Sequence, residues 1–505
     1  MGAIYARADR VLVCMGDAVT AGADARVAEL VELSAPLVGE SGPGRGHDGA
    51  DETSVADDHE LAVMLEAMHD SWSKEEARCL LLEKREASWA SVRELLNRSW
   101  FRRVWVVQEV GLARNPVVLF GNESFGYRRL IKMVDWAASQ WELAGFEVSL
   151  LLIHYEWADW ACAAKTLEKT FYDLIDHASL LSCKDPRDRI YAFLGHPLAR
   201  VQGGDGDTDM PIIIPDYAKE LNELYLDVQK LFLDMVGVRA LVAVEHDEES
   251  LTDGYPSWVT RWHISNKPNN ISRLPAKTFS AGGPVDETYQ PDILGSVLKL
   301  KGAAVDTLWK VFQIDIADAD FLVCFSDGES PSKQLTLRKM LDFLTSEDTP
   351  CIYHDERGYA TSERALNGFG TTLCGGQPWH SGYRRYRDGL MWLLSANGTG
   401  SSRLTEPLSP RHEADMRLYF VYLEAKCRGR AFAVTAGGRY CLTPRRARPG
   451  DQVCIIRGLD VPFVMRVDGR RRVLLEEAYV HGIMEGEAME MISRRELMEA
   501  TFVIQ

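Results

Sequence analysis

Apolar positions in the first quarter of the chain predict strands and helices in alternation. The continuous apolar run within residues 10–16 is typical of a buried strand. Residues 61–79 and 89–113 repeat their apolar positions at helical spacing, and Asn115-Pro116 ends the second of these helices. The run over residues 117–121 then predicts a short strand. This order of elements favours an α/β arrangement.

The middle of the chain is predicted to be mainly helical, over residues 127–194 and again over residues 219–236. A helix start is predicted at Asp185, because proline follows it and an acid, Asp188, stands where a capping box uses one. We expect a structural helix here rather than a ligand site. Two of its side chains fall one turn apart on one face: Arg187 and Tyr191.

Alternating apolar and polar positions replace the helical pattern after about residue 290. Residues 291–490 are predicted to form an antiparallel β-barrel, with a helical excursion over 310–415 and a tail over 491–505. Asp468-Gly469, between two alternating segments, predicts a hairpin with a primed turn. The strands are predicted at 297–301, 418–422, 431–435, 453–456 and 463–467.

Composition excludes several classes of function. The chain has 505 residues and a formal net charge of −17 at pH 7, which argues against a nucleic-acid-binding surface. No apolar run approaches the ~18 residues of a membrane span. Ten cysteines are spread along the chain without a Cys-x-x-Cys pair, which is typical of reduced thiols and gives no metal site. Residues 39–60 hold seven acidic residues and one arginine and are predicted to be a disordered insertion.

One segment carries the strongest candidate for chemistry. Arg102, Trp105 and Glu109 lie at i, i+3 and i+7 of the predicted helix, and therefore on one face. A carboxylate placed beside an indole is either catalytic or structural, and in the structural case Glu109 pairs with Arg102 or Arg103. The neighbouring stripe, predicted to pack inward, consists of Phe101, Val104 and Gln108.

The Trp-x-x-Arg-x-Trp-x-x-Gln-Glu spacing that ends at Glu109 resembles the end of the fungal heterokaryon-incompatibility domain, or HET domain. Residues 185–195 resemble the Asp-Arg-Ile-Tyr-Ala-Leu-Leu-Gly segment of that family, and residues 215–217 resemble its following Asp-Tyr element. Residues 478–487 resemble part of the C-terminal barrel of the same proteins. The positions singled out by these matches are Trp100, Gln108, Asp185, Arg187, Asp188, Arg189, Tyr191, Asp216, Tyr217, Tyr479, His481, Gly482 and Glu487.

The resemblance implies an α/β fold for residues 1–125, as an incomplete TIR-like HET domain, then a helical connector over 126–290 and the barrel. The fold class is then α+β multidomain. Members of the family carry two earlier strands, with Ser-Tyr-x-Trp-Gly and Ile-Asp-x-x-Cys-Ile-Asn-Gln motifs, and neither motif occurs in this sequence. The resemblance therefore implies an N-terminally truncated member.

The resemblance also implies a cytoplasmic protein of fungal non-self recognition and programmed cell death. In one alternative it is a signalling module whose partners are other proteins, either the product of an incompatible allele or another HET domain. In a second, it hydrolyses NAD as TIR domains do, with Glu109 as the catalytic carboxylate and Trp105 and Arg102 lining the site. NAD is then a substrate, and no cofactor is expected. In a third, the chain regulates full-length relatives without chemistry of its own.

Further charged groups lie in the predicted barrel. His481, with Glu485 and Glu487, lacks a second histidine at metal spacing and is predicted to be structural. Two basic clusters on barrel turns are either solvated hairpin ends or contacts for an acidic partner or a phosphate. These clusters are Arg445, Arg446 and Arg448, and Arg470, Arg471 and Arg472.

Overall fold

The computed structural model divides the chain into two compact units, Met1–Ala218 and Lys219–Gln505. The residues it describes are 2–38, 86–139, 169–202, 209–264, 270–272, 279–284, 291–314, 340, 349–350, 363–376, 423 and 426–505. The predicted insertion at 39–60, helix at 61–79 and strand at 418–422 lie outside these residues. The domain boundaries predicted after residues 125 and 290 fall inside the two units.

The first unit combines a small sheet with helices. Strand β2 (Pro116–Phe120) lies in the middle, parallel to β1 (Val11–Cys14) and antiparallel to β3 (Glu123–Gly126). A separate ribbon pairs β4 (Arg200–Gln202) with β5 (Asp209–Pro211). The helices are α1 (Gly2–Arg7), α2 (Ala23–Leu33), α3 (Ala35–Val38), α4 (Glu86–Leu96), α5 (Val104–Gly111), α6 (Tyr127–Ser139), α7 (Phe171–His177) and α8 (Asp188–Tyr191).

The strand predicted at residues 10–16 is present as β1, but it is only half buried. Val13 and Met15 are buried, whereas the side chain of Leu12 is 54% exposed and Cys14 is also exposed. Alternate residues of β1 therefore face the core, as in a strand with one covered face. The prediction of a buried strand is therefore correct for the strand but wrong for half of its side chains.

The single helix predicted over residues 89–113 is instead three shorter elements. After α4 a 3₁₀ turn spans Ser99–Arg102, and α5 begins only at Val104. Arg103 between them is extended, with φ −87° and ψ 132°. It forms a bridge with Ser182, in which the Val104 N–H donates to the Ser182 carbonyl at 3.1 Å. This long-range pairing interrupts the helix.

The second unit contains one long helix, α9 (Leu221–Val236), where the sequence predicts it, and a β-barrel. The helix α10 (Glu363–Leu373) lies within the predicted excursion, and α11 (Glu487–Ser493) follows the barrel motif. The strands are β6 (Asp292–Leu294), β7 (Val297–Gln313), β8 (Arg430–Thr435), β9 (Tyr440–Pro444), β10 (Gln452–Ile456), β11 (Phe463–Asp468), β12 (Arg471–Glu477), β13 (Tyr479–Val480) and β14 (Ala500–Ile504).

Five of these strands close a ring in the order β7, β10, β11, β12, β14 and back to β7. All neighbouring pairs of the ring are antiparallel except β12 and β14, which are parallel. The α+β fold class and the C-terminal barrel are confirmed. The hairpin predicted at Asp468-Gly469 joins β11 to β12, and Gly469 has the positive φ of 59° that such a turn requires.

Strand β7 is longer than predicted. Its first part lies in the ring, and its second part leaves the ring and pairs with β8, which continues the sheet through β9 to β13. The strand runs to Gln313, so residues 310–313 are not part of the excursion predicted from residue 310.

Residues 491–505, predicted to be a tail, contain a strand of the barrel, β14. Strand β14 lies between β12 and β7 and completes the ring. Phe502 and Ile504 are buried, at 1% and 0% exposure, and the guanidinium of Arg472 stacks on the Phe502 ring at 4.4 Å. The prediction of a tail is therefore wrong.

The barrel has a close crossing at Gly302 in β7. This residue is paired on both sides, with Ile456 of β10 and Ala500 of β14. A Cβ atom at this position would lie 2.2 Å from the backbone oxygen of Ile455 and 2.7 Å from the ring of Phe502. Glycine is therefore required for the three strands to approach one another.

A buried ion pair fastens β8 to the end of β12. Arg430 and Glu477 are both 0% exposed. The guanidinium of Arg430 donates to the carbonyl oxygen and to Oε1 of Glu477 at 2.9 Å each, and lies 3.3 Å from Glu476 Oε1. The Glu477 carboxylate also accepts the backbone N–H groups of Ile271 and Ser272, so the charge is solvated by protein groups.

Among the residues that the structure describes, no helix combines the length and the apolar character needed to cross a membrane.

Candidate functional site

Three segments of the first unit meet at the carboxylate of Asp188. The indole Nε1 of Trp105, on α5, donates to Asp188 Oδ2 at 3.1 Å. The hydroxyl of Tyr217 donates to Asp188 Oδ1 at 2.6 Å. Each carboxylate oxygen thus holds a donor from a different part of the chain, and we call Trp105, Asp188 and Tyr217 the Asp188 network. Hydrogen bonds to a charged acceptor contribute about 1.5–3 kcal/mol each.

Helix α8 also holds the backbone next to Tyr217. Arg187 Nη1 donates to the Tyr217 carbonyl. The Tyr191 hydroxyl donates to the Asp216 carbonyl at 3.0 Å and accepts the Asp216 N–H at 3.2 Å. The rings of Tyr191 and Tyr217 meet edge to face, with centroids 5.1 Å apart. Arg187 and Tyr191 therefore both bind the backbone of residues 216–217, in agreement with their predicted position on one face.

The start of α8 is capped differently from the prediction. Asp185 Oδ1 accepts the Arg187 N–H at 3.0 Å, so the predicted capping residue does stabilise this turn. The regular helix begins only at Asp188, whose carboxylate is committed to Trp105 and Tyr217 instead of a capping box. Arg189 is buried and donates to the Ser179 carbonyl at 2.8 Å. Asp188 thus has a tertiary role.

Two side chains of the first unit, Tyr217 of the network and His196, have shifted pKa values. Burial first, and then the hydrogen bond and charge of Asp188, raise the pKa of Tyr217 well above its ordinary value. The phenol therefore keeps its proton and remains a donor. Burial lowers the pKa of His196 to about 4, so its imidazole is neutral and Nδ1 accepts the Leu198 N–H at 3.1 Å.

Glu109 lies one turn after Trp105 on α5, and its side chain is 20% exposed. Arg103 Nη2 lies 3.9 Å from Glu109 Oε1. Helix α1 packs against α5, and burial, then the charge of Glu109, raise the pKa of Tyr5 on α1. Arg102 lies in the 3₁₀ turn, and extended Arg103 separates it from α5, so the helical spacing predicted to place Arg102 on the Trp105–Glu109 face does not apply.

Sequence reasoning identified Arg103 only as an alternative partner of Glu109, and it did not identify Tyr5. Local periodicity gives no signal for either, because the bridge at Arg103 and the approach of α1 are tertiary. The prediction that a neighbouring stripe packs inward is confirmed, since Phe101, Val104 and Gln108 are 0%, 0% and 7% exposed. Trp100 packs edge to face on Phe101 and Tyr127, at 5.1 and 5.9 Å between centroids.

The buried amide of Gln108 lies across the backbone of Gly195. A Cβ atom at Gly195 would lie 2.0 Å from Gln108 Nε2 and 3.0 Å from Cδ. This contact joins α5 to the end of the segment that follows α8. The two matched segments therefore meet where Gln108 packs on Gly195.

Gly195→Ala is expected to destabilise the protein by about 1–3 kcal/mol, because the added methyl group forces the buried Gln108 side chain to move. Gln108→Ala in the same chain should recover part of that loss by making room. The check is urea unfolding of the single and double variants. Gly126→Ala is the control, since its Cβ would meet nothing closer than 3.9 Å. If Gly195→Ala lowers the free energy of unfolding by the same amount in the original chain and in the Gln108→Ala variant, the assigned contact is contradicted.

The matched residues of the barrel form a separate cluster. The Tyr479 hydroxyl and His481 Nδ1 lie 3.1 Å apart, and Gly482 follows with a φ of 83°. Glu487 Oε2 accepts the Glu485 N–H at 2.7 Å at the start of α11. Within the described part of the chain, no group of three or more His, Cys, Asp or Glu residues is placed to hold a metal ion.

Comparisons with known proteins match a segment of each unit. Residues 1–109 match the family described as heterokaryon incompatibility protein (HET), and residues 401–499 match the Het-6 beta-barrel domain. Heterokaryon incompatibility protein 6, OR allele, from Neurospora crassa is 22% identical over 466 residues, covering 79% of this chain and 66% of that protein, just under two thirds of its length. No solved structure matches the chain.

Proposed function

We propose, on the premise that this chain is a fungal HET-domain protein with a C-terminal Het-6 β-barrel, that it acts in heterokaryon incompatibility as a non-self-recognition module. In this proposal it binds other proteins in the cytoplasm and signals cell death without chemistry of its own. The six cysteines among the described residues are free thiols, which supports a reducing compartment.

The observation that carries the proposal is the Asp188 network. Trp105, which an NAD-hydrolysing site would use to line a pocket, has its indole N–H bonded to Asp188 at 3.1 Å. Trp105, Asp188 and Tyr217, which lie in three different segments, are thereby joined by hydrogen bonds. In this proposal the network holds the three segments together as a surface for partners, since each oxygen of Asp188 accepts a hydrogen bond from a different segment.

NAD hydrolysis is the second candidate, and the placement of Glu109 favours it. Its carboxylate is partly exposed, one helical turn from Trp105, with the guanidinium of Arg103 at 3.9 Å. A carboxylate in such a position stabilises the positive charge that develops on a ribose as nicotinamide leaves. The two candidates differ in whether Glu109 is needed.

Glu109→Gln is expected to leave cell death intact, because the substitution keeps the shape of the side chain and removes only its charge. The measurement is the survival of fungal cells that express the full chain, together with their NAD content. Asp188→Asn is the matched variant, which weakens the network that holds Trp105 and Tyr217 and should reduce killing. Both variants are compared at equal abundance and with thermal unfolding as the control for folding.

The opposite pattern would overturn the proposal. If Glu109→Gln abolishes both killing and NAD loss while the protein remains folded, Glu109 is catalytic and the second candidate replaces the first. A third result is that neither variant nor the unsubstituted chain kills, but that expressing the chain suppresses killing by a relative. The chain is then a regulator without chemistry of its own, which is the third alternative.

A further inference from the structure

The two basic clusters lie at the same end of the barrel. Gln452, the first residue of β10, pairs with Met465 of β11, so the preceding turn over residues 445–451 lies beside the last part of β11. The β11–β12 hairpin continues from there to Arg470. At about 3.3 Å per residue, the hairpin tip lies roughly 13 Å along the strand from Arg466. Both clusters thus border one surface.

Arg466 fixes the turn between β9 and β10. Its guanidinium donates to both carboxylate oxygens of Asp451, at 2.9 Å each, and to the carbonyl of Arg446 at 2.9 Å. Asp451 is 3% exposed and also accepts the Arg448 N–H at 2.8 Å. The carboxylate inside this turn is fully engaged, so it does not neutralise the arginine side chains around it.

Two members of the clusters already have partners. Arg446 Nη1 lies 3.7 Å from Glu248 Oε2, and Arg472 stacks on Phe502. The remaining four are exposed, and each lacks an ion pair with any residue that the structure describes. These four are Arg445, Arg448, Arg470 and Arg471.

An exposed tryptophan borders the same turn. Trp309 is 37% exposed and lies at the shift in register where β7 leaves the ring. Its neighbour Leu308 donates to the Asp451 carbonyl and accepts the Gly450 N–H, both at 2.8 Å. Further along β7, Gln313 Nε2 donates to the Arg445 carbonyl at 3.0 Å. The second half of β7 therefore runs beside the arginine-bearing turn.

We infer that Trp309 and the four exposed arginines form a docking surface for an acidic segment of a partner protein. The arginine fork binds carboxylates through two parallel hydrogen bonds, and all four cations are arginine rather than lysine. Tryptophan and arginine are the residues that contribute most at protein interfaces. The net charge of −17 disfavours a long polyanion such as nucleic acid, because the rest of the chain repels it.

This inference goes beyond the proposed function, because it assigns a binding surface to the second unit whether or not the chain signals death. The test is fluorescence anisotropy of the full chain with a short labelled peptide in which glutamate alternates with serine and leucine. The same peptide with glutamine for glutamate is the control. We expect binding of the glutamate peptide alone, and weaker binding at high salt.

Two double variants locate the binding. Arg445→Glu with Arg448→Glu, and Arg470→Glu with Arg471→Glu, should each raise the Kd at least tenfold. Arg494→Glu with Arg495→Glu makes the same change in net charge on an exposed part of the second unit and should leave the Kd nearly unchanged. Circular dichroism checks that all variants remain folded.

Either of two results would overturn the inference. One is that the Kd is unchanged by both barrel-turn reversals, or that it rises equally in the Arg494/Arg495 control. The other is that a single-stranded oligonucleotide of the same charge binds as tightly as the glutamate peptide, which would make the surface a general polyanion site. Because the readout is binding, failure here leaves the cell-death experiment unaffected.

Discussion

Gly302→Ala is expected to abolish the closed barrel or to lower its stability by more than about 4 kcal/mol. The new methyl group would lie 2.2 Å from the backbone oxygen of Ile455, and this oxygen is fixed because β10 is paired with β7 and β11. Relief would require β10 to move away from β7 and break the ladder. On the other side, the Phe502 ring, at 2.7 Å, prevents the opposite shift.

The measurement is urea unfolding followed by near-ultraviolet circular dichroism. Gly295→Ala is the matched control at the β6–β7 turn, where a Cβ atom would meet nothing within 4 Å. Its only penalty is the positive φ of 64°, which costs about 1–2 kcal/mol. If the two substitutions had similar effects, steric crowding at the crossing would not be the reason for glycine at position 302.

Arg430→Met is expected to destabilise the second unit by about 3–5 kcal/mol, because it leaves the carboxylate of Glu477 buried without its cation. Methionine fills much of the space but supplies none of the donors at 2.9 Å. Ile271 and Ser272 would still donate to the carboxylate, but two backbone N–H groups do not neutralise a charge at 0% exposure.

A second substitution separates charge burial from packing. Adding Glu477→Gln to Arg430→Met removes one of the two buried carboxylates that face Arg430, while Glu476 remains, and should recover part of the loss in chemical denaturation. Arg494→Met provides the comparison with an exposed pair, since Arg494 and Glu490 lie 3.0 Å apart with side chains 64% and 69% exposed. That change should cost less than about 1 kcal/mol. No recovery in the double variant would show that packing, not charge, determines the loss.

The elements that follow from local patterns were predictable, and those set by distant contacts were not. Helix α9 and the hairpin at Gly469 appear where periodicity and turn chemistry place them. The break at Arg103 depends on Ser182, far along the chain, so no local pattern shows it. Strand β14 had a local signal in its β-branched residues and in Phe502, but too few residues flank it for alternation to be clear.

In the candidate site, too, the residues could be predicted from the sequence but their contacts could not. The resemblance identified Trp105, Asp188 and Tyr217 one by one, yet the hydrogen bonds among them join residues up to 83 positions apart. Local rules gave Asp188 a capping role, because its spacing from Asp185 fits a capping box. In the structure the Asp188 carboxylate instead accepts hydrogen bonds from Trp105 and Tyr217, since an indole N–H and a phenol both need an acceptor when partly buried.

Closure of the barrel ring has a kinetic consequence. Strand β7 pairs with β14, which follows it by about 200 residues. Pairings of such separation form slowly, because the entropy of loop closure is lost before any contact stabilises the pair. Until then β7 and β12 present open edges, which are templates for pairing with other chains. Newly made molecules of this protein therefore pass through a period in which crowding and chaperone supply, more than final stability, determine how many reach the native state.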